Sequence, residues 1–312
     1  MDWGEVTGVI LAAGRGTRMQ YLGVEYPKPL LPICNEPLLR LHIKAMSRLG
    51  IRRVLIVVGH LGTKLVNHLS EHPLPEIEIG FVEQENPLGI AHAVGRLERL
   101  IAGPLLLFLG DIFFIATELE KMMEQLVSRE NGAVLAVKEE PDVEAIKKNF
   151  TAEVDSGGRV RQVIEKPRVV SNRLKGCGIY LFSPAIFDAI RRTPRTAARD
   201  EYEITTSIQI MIDAGGEVRV AQVIERDINL TYPSDLLDCN LLQMQLEGRN
   251  EVMGQDVYVN PGAQLRNCIV GDRTRIESHC EISDSLLMPG ARVDAQMRLH
   301  RAIVTPTNII RC

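Results

Sequence analysis

Apolar and polar residues follow two different periods along the first two thirds of the chain. Short apolar runs, typical of strands buried on both faces, are separated by stretches in which apolar residues recur at helical spacing. The strand-like runs are Val6–Leu11, Val54–Val58, Ile77–Phe81, Leu105–Leu109 and Ala133–Val137, and the helix-like stretches include Leu38–Leu49, Leu65–Leu69 and Glu118–Ser128. This alternation predicts an α/β fold with a doubly wound, mainly parallel sheet.

A section in which strands and helices alternate less regularly runs from Val154 to Val223. It contains two further predicted strands, Val160–Ile164 and Gly178–Phe182, and a predicted helix, Ile204–Ala214. Ligands of doubly wound sheets bind beyond the carboxyl ends of the strands, and Gly14 and Asp111 both follow such ends in this interpretation.

The pattern changes again in the last quarter of the chain. An apolar helix is predicted over Leu236–Leu246, and residues 247–250 form a polar break. Beyond the break, apolar residues recur at intervals of six, with Pro-Gly pairs at predicted turns; they are Val259 and Leu265, then Val270, Ile276, Ile282 and Met288, then Val293 and Leu299. The spacing predicts a short left-handed parallel β-helix, with an antiparallel β tail as the alternative because the register slips twice. We therefore predict one domain over residues 1–250 and a second over 251–312.

A glycine-rich turn follows the first apolar run, and residues 8–32 read GVILAAGRGTRMQYLGVEYPKPLLP. Glycines allow main-chain N–H groups to face an anion, and Arg18 and Lys28 add positive charge. The spacing of a P-loop is absent, and Met19 stands where a dinucleotide-binding turn has its third glycine. The segment predicts a binding site for a nucleoside triphosphate; an ordinary strand-to-helix turn is the alternative.

The strings LAAGRGTRM and PKPLLP together resemble the signature of the sugar-1-phosphate nucleotidyltransferases, the family of the glucose-1-phosphate thymidylyl- and uridylyltransferases. Further motifs of that family occur in the expected order: EQENPLG at 83–89, LGD at 109–111, EKP at 165–167, GIY at 178–180, EYEIT at 201–205, and Asn229 followed by YPSDLL at 232–237. The resemblance implies a Rossmann-like fold and attack by a sugar-1-phosphate oxygen on the α-phosphorus of an NTP, with release of pyrophosphate. It also implies Mg²⁺ as the cofactor.

The resemblance assigns roles to individual residues. Arg18 would grip the NTP phosphates, Lys28 would offset charge near the transferring phosphorus, and Lys166 would meet the sugar phosphate. The implied sets are Arg18, Lys28 and Asp111 for catalysis; Leu11, Ala13, Gly14, Gly16, Thr17, Gln84 and Gly89 for the nucleotide; Glu165, Lys166, Gly178 and Glu201 for the sugar phosphate; and Asp111 and Asn229 for the metal.

Two anions must meet in this reaction, so a divalent metal and fixed cations are expected to lower the barrier. Asp111 ends an apolar run, and a carboxylate at the end of a strand is a natural ligand for Mg²⁺. Asn229 stands where relatives often have aspartate, and Asp227, two residues earlier, would point to the same side of a strand. Ile112 and Thr206 also depart from the family pattern, at positions where relatives often carry asparagine and aspartate.

The base and the exact activity stay open at this stage. Gln84 and Gly89 are five positions apart, as in uridylyl- and thymidylyltransferases, where an amide can read a pyrimidine edge. UTP or dTTP is therefore favoured over GTP or CTP. The alternatives to catalysis by this site are a non-catalytic sugar-nucleotide-binding regulatory subunit and a bifunctional enzyme whose β-helix transfers acyl groups, with His279 or His300 as a base.

Composition excludes several other classes of protein. The chain has 312 residues, 45% of them hydrophobic and 24% charged, which is ordinary for a folded domain, and its net charge of −4 argues against nucleic acid as a partner. No apolar stretch approaches the roughly 20 residues of a membrane span, and the first residues do not resemble a signal peptide. The six cysteines show no CxxC pairing. These features predict a cytoplasmic enzyme, and the open end of the β-helix predicts a homo-oligomer.

Overall fold

The computed structural model describes residues 2–128, 130–197 and 200–312. The helices are α1 (Tyr21–Glu25), α2 (Leu38–Arg48), α3 (Gly62–Glu71), α4 (Ile90–Gly95), α5 (Lys121–Gln125), α6 (Val143–Lys147), α7 (Ile186–Arg192), α8 (Ile204–Asp213) and α9 (Pro233–Leu246). The strands before α9 are β1 (Thr7–Ala12), β2 (Pro32–Ile33), β3 (Glu36–Pro37), β4 (Arg53–Val58), β5 (Glu78–Glu83), β6 (Leu105–Leu109), β7 (Ile112–Ala116), β8 (Gly132–Glu139), β9 (Phe150–Val154), β10 (Val160–Glu165), β11 (Leu174–Phe182), β12 (Glu217–Ala221) and β13 (Ile224–Asn229). The strands after α9 are β14 (Glu251–Met253), β15 (Tyr258–Val259), β16 (Gln264–Val270), β17 (Arg275–Ile276), β18 (Glu281–Leu287), β19 (Arg292–Val293), β20 (Arg298–His300), β21 (Ala302–Val304) and β22 (Ile309–Arg311).

The chain forms two compact units. The first contains residues 2–15 and 42–227, and the second contains residues 16–41 and 228–312. The segment after the first glycine-rich turn therefore belongs to the same unit as the C-terminal coils, although more than 180 residues separate them in sequence. The predicted domain boundary at residue 250 stays a prediction.

A nine-stranded mixed sheet forms the centre of the first unit, with the order β10-β9-β11-β6-β1-β4-β5 and with β8 and β12 joined through β11. The run from β6 to β5 is parallel, as the alternating pattern predicts. β11 runs antiparallel to β6, β8 and β9, so the parallel part of the sheet is smaller than predicted. The doubly wound α/β class is confirmed.

The sheet core explains the apolar runs. Val9, Leu55 and Leu107 lie on adjacent parallel strands and are 0–3% exposed. A side chain at Gly8 would collide with Met46 of α2, because that helix lies close to β1. The helix predicted over Glu118–Ser128 is limited to α5, a single short helix.

The C-terminal strands from β14 to β21 stack in parallel coils, as the prediction required, and the last strand, β22, runs antiparallel to β21. Glu251 pairs with Cys268 and Gln264 pairs with Glu281, so each coil closes after seventeen residues. The inward-facing apolar residues accordingly follow a six-six-five spacing rather than a strict spacing of six. They are Val259, Leu265, Val270, Ile276, Ile282, Leu287, Val293, Leu299 and Val304. Leu287 therefore occupies the position that the uniform spacing gave to Met288.

The corners between the coil faces repeat with the same period. Asn267, Asp284 and Arg301, each seventeen residues apart, have φ values of 52°, 48° and 48°. Asparagine and aspartate tolerate this left-handed conformation better than most residues. The side chain of Asn267 also donates to Asp284 Oδ1 at 3.0 Å, which links one coil to the next.

Candidate active site

Asp111 lies at the carboxyl edge of the parallel strands, beside the end of β1. Leu11 pairs with Leu109, and the N–H of Gly110 then donates to the carbonyl oxygen of Leu11 at 2.9 Å. A Cβ atom at Gly110 would lie 2.5 Å from that oxygen, so only glycine fits this position. The structure thus brings Asp111 next to the predicted nucleotide-binding residues at the end of β1.

A buried histidine that the sequence analysis did not single out holds the residue after Asp111. His42 Nε2 donates to the carbonyl oxygen of Ile112 at 2.8 Å. Its ring stacks on Phe114, with 5.4 Å between centroids, and meets the edge of Phe108 at 5.6 Å. Burial lowers the pKa of His42 to about 4, against the opposing effects of this hydrogen bond and of Asp111. The ring is therefore neutral at physiological pH, and the only sequence signal was a histidine on a helix that packs against the sheet.

Gln84 follows the end of β5 and is nearly buried, with 6% of its surface exposed. Its backbone N–H donates to Val58, while its side-chain Nε2 lies 3.0 Å from His92 Nδ1 and 3.4 Å from the carbonyl oxygen of Gly89. Gly89 has φ 107°, and a Cβ atom there would lie 2.5 Å from the carbonyl oxygen of Tyr202. The backbone of Tyr202 therefore requires glycine at position 89, a reason independent of the nucleotide-binding role predicted from the sequence.

The predicted sugar-phosphate residues at the end of β10 are Glu165 and Lys166. Thr205 Oγ1 donates to Glu165 Oε2 at 3.3 Å, which fixes the carboxylate from the start of α8. Lys166 adopts φ 45°, its N–H donates to the carbonyl oxygen of Asn149 at 2.8 Å, and its side chain is exposed. The left-handed backbone turns the lysine out of the strand.

Gly178 lies in a bulge of β11, where the register against β8 shifts between Gly176 and Tyr180. Its φ is 66°, and a side chain there would overlap the side chain of Ile112. Gly178 therefore lies against Ile112, the residue that follows Asp111 in the sequence. Glu201, the remaining predicted sugar-side residue, is half-buried, and its carbonyl oxygen accepts a hydrogen bond from Thr196 N–H at 2.9 Å.

Asp227, the alternative metal ligand, is committed to a buried ion-pair network. Its carboxylate lies 2.7 Å from Lys175 Nζ and 3.0 Å from Lys138 Nζ, and its side chain is only 1% exposed. Glu140 lies 2.9 Å from the same Lys138. Two ammonium groups neutralise Asp227, so this carboxylate serves the structure of β13, and Asn229 is left as the candidate ligand.

In the second unit, the glycine-rich turn continues into two 3₁₀ turns, Thr17–Met19 and Lys28–Leu30. Gly16 begins the first turn with φ 62°, and Arg18 on that turn is exposed. A Cβ atom at Gly16 would lie 3.2 Å from Lys28 Cγ, because the lysine stem passes over the glycine. The structure thus brings together the predicted residues Gly16, Thr17, Arg18 and Lys28.

The hairpin β2–β3, which directly follows Lys28, is held by a fully buried asparagine of α9. Asn240 Oδ1 accepts the N–H of Cys34 at 2.7 Å, and its Nδ2 donates to the carbonyl oxygen of Pro32 at 2.8 Å. At the tip of the hairpin, Asn35 Nδ2 donates to the carbonyl oxygen of Val270 in the first coils at 2.9 Å. The segment that carries Lys28 is therefore fastened to both α9 and the β-helix.

The histidines considered for acyl transfer are both exposed on the β-helix. His279 occupies a coil corner with φ 57°. His300 lies in a groove of about 800 Å³, where Nδ1 is 3.0 Å from Ser283 Oγ and 3.3 Å from Asp284 Oδ2.

A model of the nucleotidyl transferase family matches residues 7–228, which is more than half of the chain. The chain belongs to this family. A second model, of the GlmU-like C-terminal hexapeptide type, matches residues 244–311 of this nucleotidyl transferase.

Three similar proteins illustrate the relationship. The low-salt glycan biosynthesis nucleotidyltransferase Agl11 of Haloferax volcanii is 32% identical over 243 residues, which cover 76% of this chain and 66% of that protein. The glucose-1-phosphate thymidylyltransferase of Streptomyces griseus is 29% identical over 330 residues, covering 95% and 91%. The crystal structure of a UDP-glucose pyrophosphorylase with UDP-glucose matches with a TM-score of 0.67 at 21% identity, covering 77% and 99%, and shows the likeness of the fold.

The donor atoms of this nucleotidyl transferase fit the hard cation that the family implies. Asp111 offers carboxylate oxygens and Asn229 an amide oxygen, and Mg²⁺ prefers oxygen ligands and takes many of them from water and substrate phosphates. Within the described ranges, no group of three or more histidine, cysteine or acidic residues could hold a metal by itself. In the same ranges, no helix has the length and apolar character needed to cross a membrane.

Proposed function

We propose that this nucleotidyl transferase moves a nucleotidyl group from UTP or dTTP to a sugar-1-phosphate and releases pyrophosphate. The observation that carries the proposal is the position of Asp111, which the Gly110–Leu11 hydrogen bond holds at the carboxyl edge of β1. Ligands of such sheets bind at this edge. The same edge carries Ala13, Gly14 and, at the end of β5, Gln84.

The reaction joins two anions, so its barrier comes from charge repulsion and alignment. A sugar-phosphate oxygen forms a bond to the α-phosphorus, and the bond from that phosphorus to the pyrophosphate oxygen breaks. Arg18 suits a bidentate grip on the NTP phosphates, and Lys28 supplies a point charge close to the same turn. Asp111 and Asn229 would hold Mg²⁺, which neutralises charge on the phosphates when bound.

The remaining groups distinguish the two substrates. Lys166 is turned out of β10 by its left-handed backbone and would meet the sugar phosphate, while Glu165 would accept a hydrogen bond from a sugar hydroxyl. Gln84 would read the base. Its neutral amide suits uracil or thymine, whereas an acidic residue would be expected at this position in an enzyme that uses GTP.

The decisive experiment is a matrix of NTPs against sugar-1-phosphates, with pyrophosphate release measured for each pair. We expect turnover with UTP or dTTP only when both Mg²⁺ and a sugar-1-phosphate are present. Asp111→Asn should lower kcat by at least about 10²-fold, the scale of losing a main electrostatic contact. Asp213→Asn makes the same chemical change at the exposed end of α8 and is the matched control.

Two outcomes would contradict the proposal. Near-normal turnover by Asp111→Asn would remove this carboxylate from the site. A full-length, folded protein that binds nucleotide but releases no pyrophosphate with any pair would instead indicate a regulatory subunit.

A further inference from the structure

The side-chain amide of Gln84 is held in one orientation by two neighbours. Its nitrogen lies 3.4 Å from the carbonyl oxygen of Gly89 and 3.0 Å from Nδ1 of His92. A carbonyl oxygen can only accept, so the atom that faces Gly89 must be the NH₂ group. The second N–H of that group then points to His92, whose Nδ1 must be the unprotonated ring nitrogen.

The ring of His92 is itself kept in place. It lies on α4 and stacks on Tyr202, with 6.2 Å between centroids and 26° between planes. The backbone of Tyr202 is fixed on both sides, because its N–H donates to Leu88 at 2.8 Å and its carbonyl oxygen accepts from Ala91 at 3.0 Å. Burial lowers the pKa of His92, and nearby Arg96 lowers it further, which favours the neutral ring that can accept at Nδ1.

The opposite orientation of the amide is disfavoured. If Gln84 rotated by half a turn, Oε1 would face the carbonyl oxygen of Gly89, and His92 would have to move its proton to Nδ1 to donate to the amide. An acceptor–acceptor contact with Gly89 would then replace a hydrogen bond in a nearly buried position, where unpaired polar groups are costly. Both N–H bonds of Gln84 are thus occupied, and Oε1 is the amide atom left to meet a ligand.

We propose that His92 is a positioning residue for base selection, because it accepts the second N–H of the amide that Gly89 orients and so leaves only the acceptor Oε1 to face the base. Uracil and thymine present N3–H at their Watson–Crick edge and can donate to Oε1. Cytosine carries a lone pair at N3 and meets an acceptor with an acceptor. A site that leaves such a mismatch discriminates strongly between otherwise similar substrates. This inference rests on the proposed function, in which Gln84 reads the base.

The test compares kcat/KM for UTP and for CTP, with the same sugar-1-phosphate, across four variants. His92→Phe keeps a ring against Tyr202 but has no Nδ1, and we expect the UTP-to-CTP ratio to fall by about tenfold, the scale of a hydrogen bond gained or lost. His92→Asn places an amide oxygen close to the position of Nδ1 and should restore the ratio to within about twofold. His72→Leu, at the exposed end of α3, is the control, and Gln84→Leu removes the reader itself.

The ratio separates two kinds of loss: a positioning role for His92 lowers kcat/KM for UTP relative to CTP, whereas a merely structural role would lower kcat/KM for both nucleotides by the same factor. An unchanged ratio in folded His92→Phe, with a collapsed ratio in Gln84→Leu, would overturn the role of His92 alone. An unchanged ratio in Gln84→Leu would overturn the assignment of the base reader in the proposed function. If His92→Phe does not fold, calorimetry of UTP and CTP binding to His92→Leu decides the question by the same criterion.

Discussion

At the scale of single residues, His42 shows how a site can depend on a group outside the reacting atoms. A histidine in an apolar pocket costs free energy unless its nitrogens are paired, and within the described residues Nδ1 has no hydrogen-bond partner. The other ring nitrogen, Nε2, however, donates to the carbonyl oxygen of Ile112, a residue with only 4% of its surface exposed. The bond fixes the backbone directly after Asp111.

We predict that His42→Phe lowers the free energy of unfolding by about 1–3 kcal/mol, the cost of a buried carbonyl group left without a donor. It should also raise the Mg²⁺ concentration that gives half-maximal activity, because the Asp111 turn loses its anchor. His42→Gln retains an N–H donor and should recover both properties in part. Urea denaturation and Mg²⁺ titration measure the two effects; a lower stability with an unchanged Mg²⁺ requirement would limit His42 to packing.

The pH dependence of stability gives a further check on this histidine. Its folded pKa of about 4 lies below the ordinary value of 6.5, so between these values the unfolded chain binds a proton that the folded chain does not. Stability from this group is therefore complete above about pH 6.5 and is lost as the pH falls toward 4. Denaturation curves of His42→Phe should lack this contribution to the slope.

Site residues could be predicted where a local motif carries them, and not where distant strands create the environment. Gly110 and Asp111 stand in one short string, and their position at the end of a strand followed from the apolar run before them. Asp227 looked like a possible metal ligand because both of its ammonium partners, Lys138 and Lys175, come from other strands of the sheet. The partner of His42 is likewise seventy residues away in sequence.

At the scale of elements, the hairpin β2–β3 connects the predicted phosphate-binding segment to α9. Asn240 donates and accepts across this contact while fully buried, and its Nδ2 also donates to Leu236 in its own helix at 2.9 Å. The hairpin tip, Cys34 and Asn35, has φ values of 49° and 67°, which fit a tight two-residue turn. The turn directs the N–H of Cys34 toward the side chain of Asn240.

We predict that Asn240→Ala destabilises the protein by about 2 kcal/mol or more, because two backbone groups of the hairpin lose their partner. The KM for the NTP should rise several-fold, since Lys28 lies just before the hairpin, while the KM for the sugar-1-phosphate stays near its original value. Asn250→Ala, at the exposed end of the region after α9, is the control. Equal increases in both KM values would show a general loss of structure instead.

The β-helix illustrates which element features the sequence could not specify. The spacing of six indicated parallel coils, and coils are present. The two slips in register looked like faults in that spacing. The first, from Leu265 to Val270, is the five-residue side of a coil, and the second is the same side of the next coil, one side earlier than expected because Leu287 rather than Met288 faces inward. Left-handed residues also lie on six-residue sides, as at Arg273 and His279, so a residue type that favours this conformation does not identify the short side.

At the scale of the whole molecule, the compact unit that contains the coils also contains residues 16–41. Arg18 and Lys28 therefore belong with the C-terminal strands, although in sequence they precede most of the central sheet. The order of residues along the chain suggested a catalytic part that ends before the coils begin. Within the second unit, contacts such as Asn35 with Val270 connect the segment 16–41 to the coils.

We predict that a chain ending at Asn250 loses most of its NTP affinity, because the hairpin after Lys28 loses one anchor and α9 loses the coils against which it packs. Its oligomeric order in light scattering should also fall, since the coils expose Met253, Tyr258 and Ile309. Calorimetry with the NTP and with the sugar-1-phosphate measures the first effect. A soluble truncated protein with normal NTP affinity would show that the segment holds its shape without the coils.

The seventeen-residue coil also determines how this domain can change its length. Duplication of residues 268–284 would add one complete coil, about 4.8 Å thick, with every inward residue and every left-handed corner in its proper place. Insertion or deletion of a single residue would instead turn all later side chains out of their rows. The length of the C-terminal domain is thus free to evolve in whole coils and is nearly fixed against smaller steps.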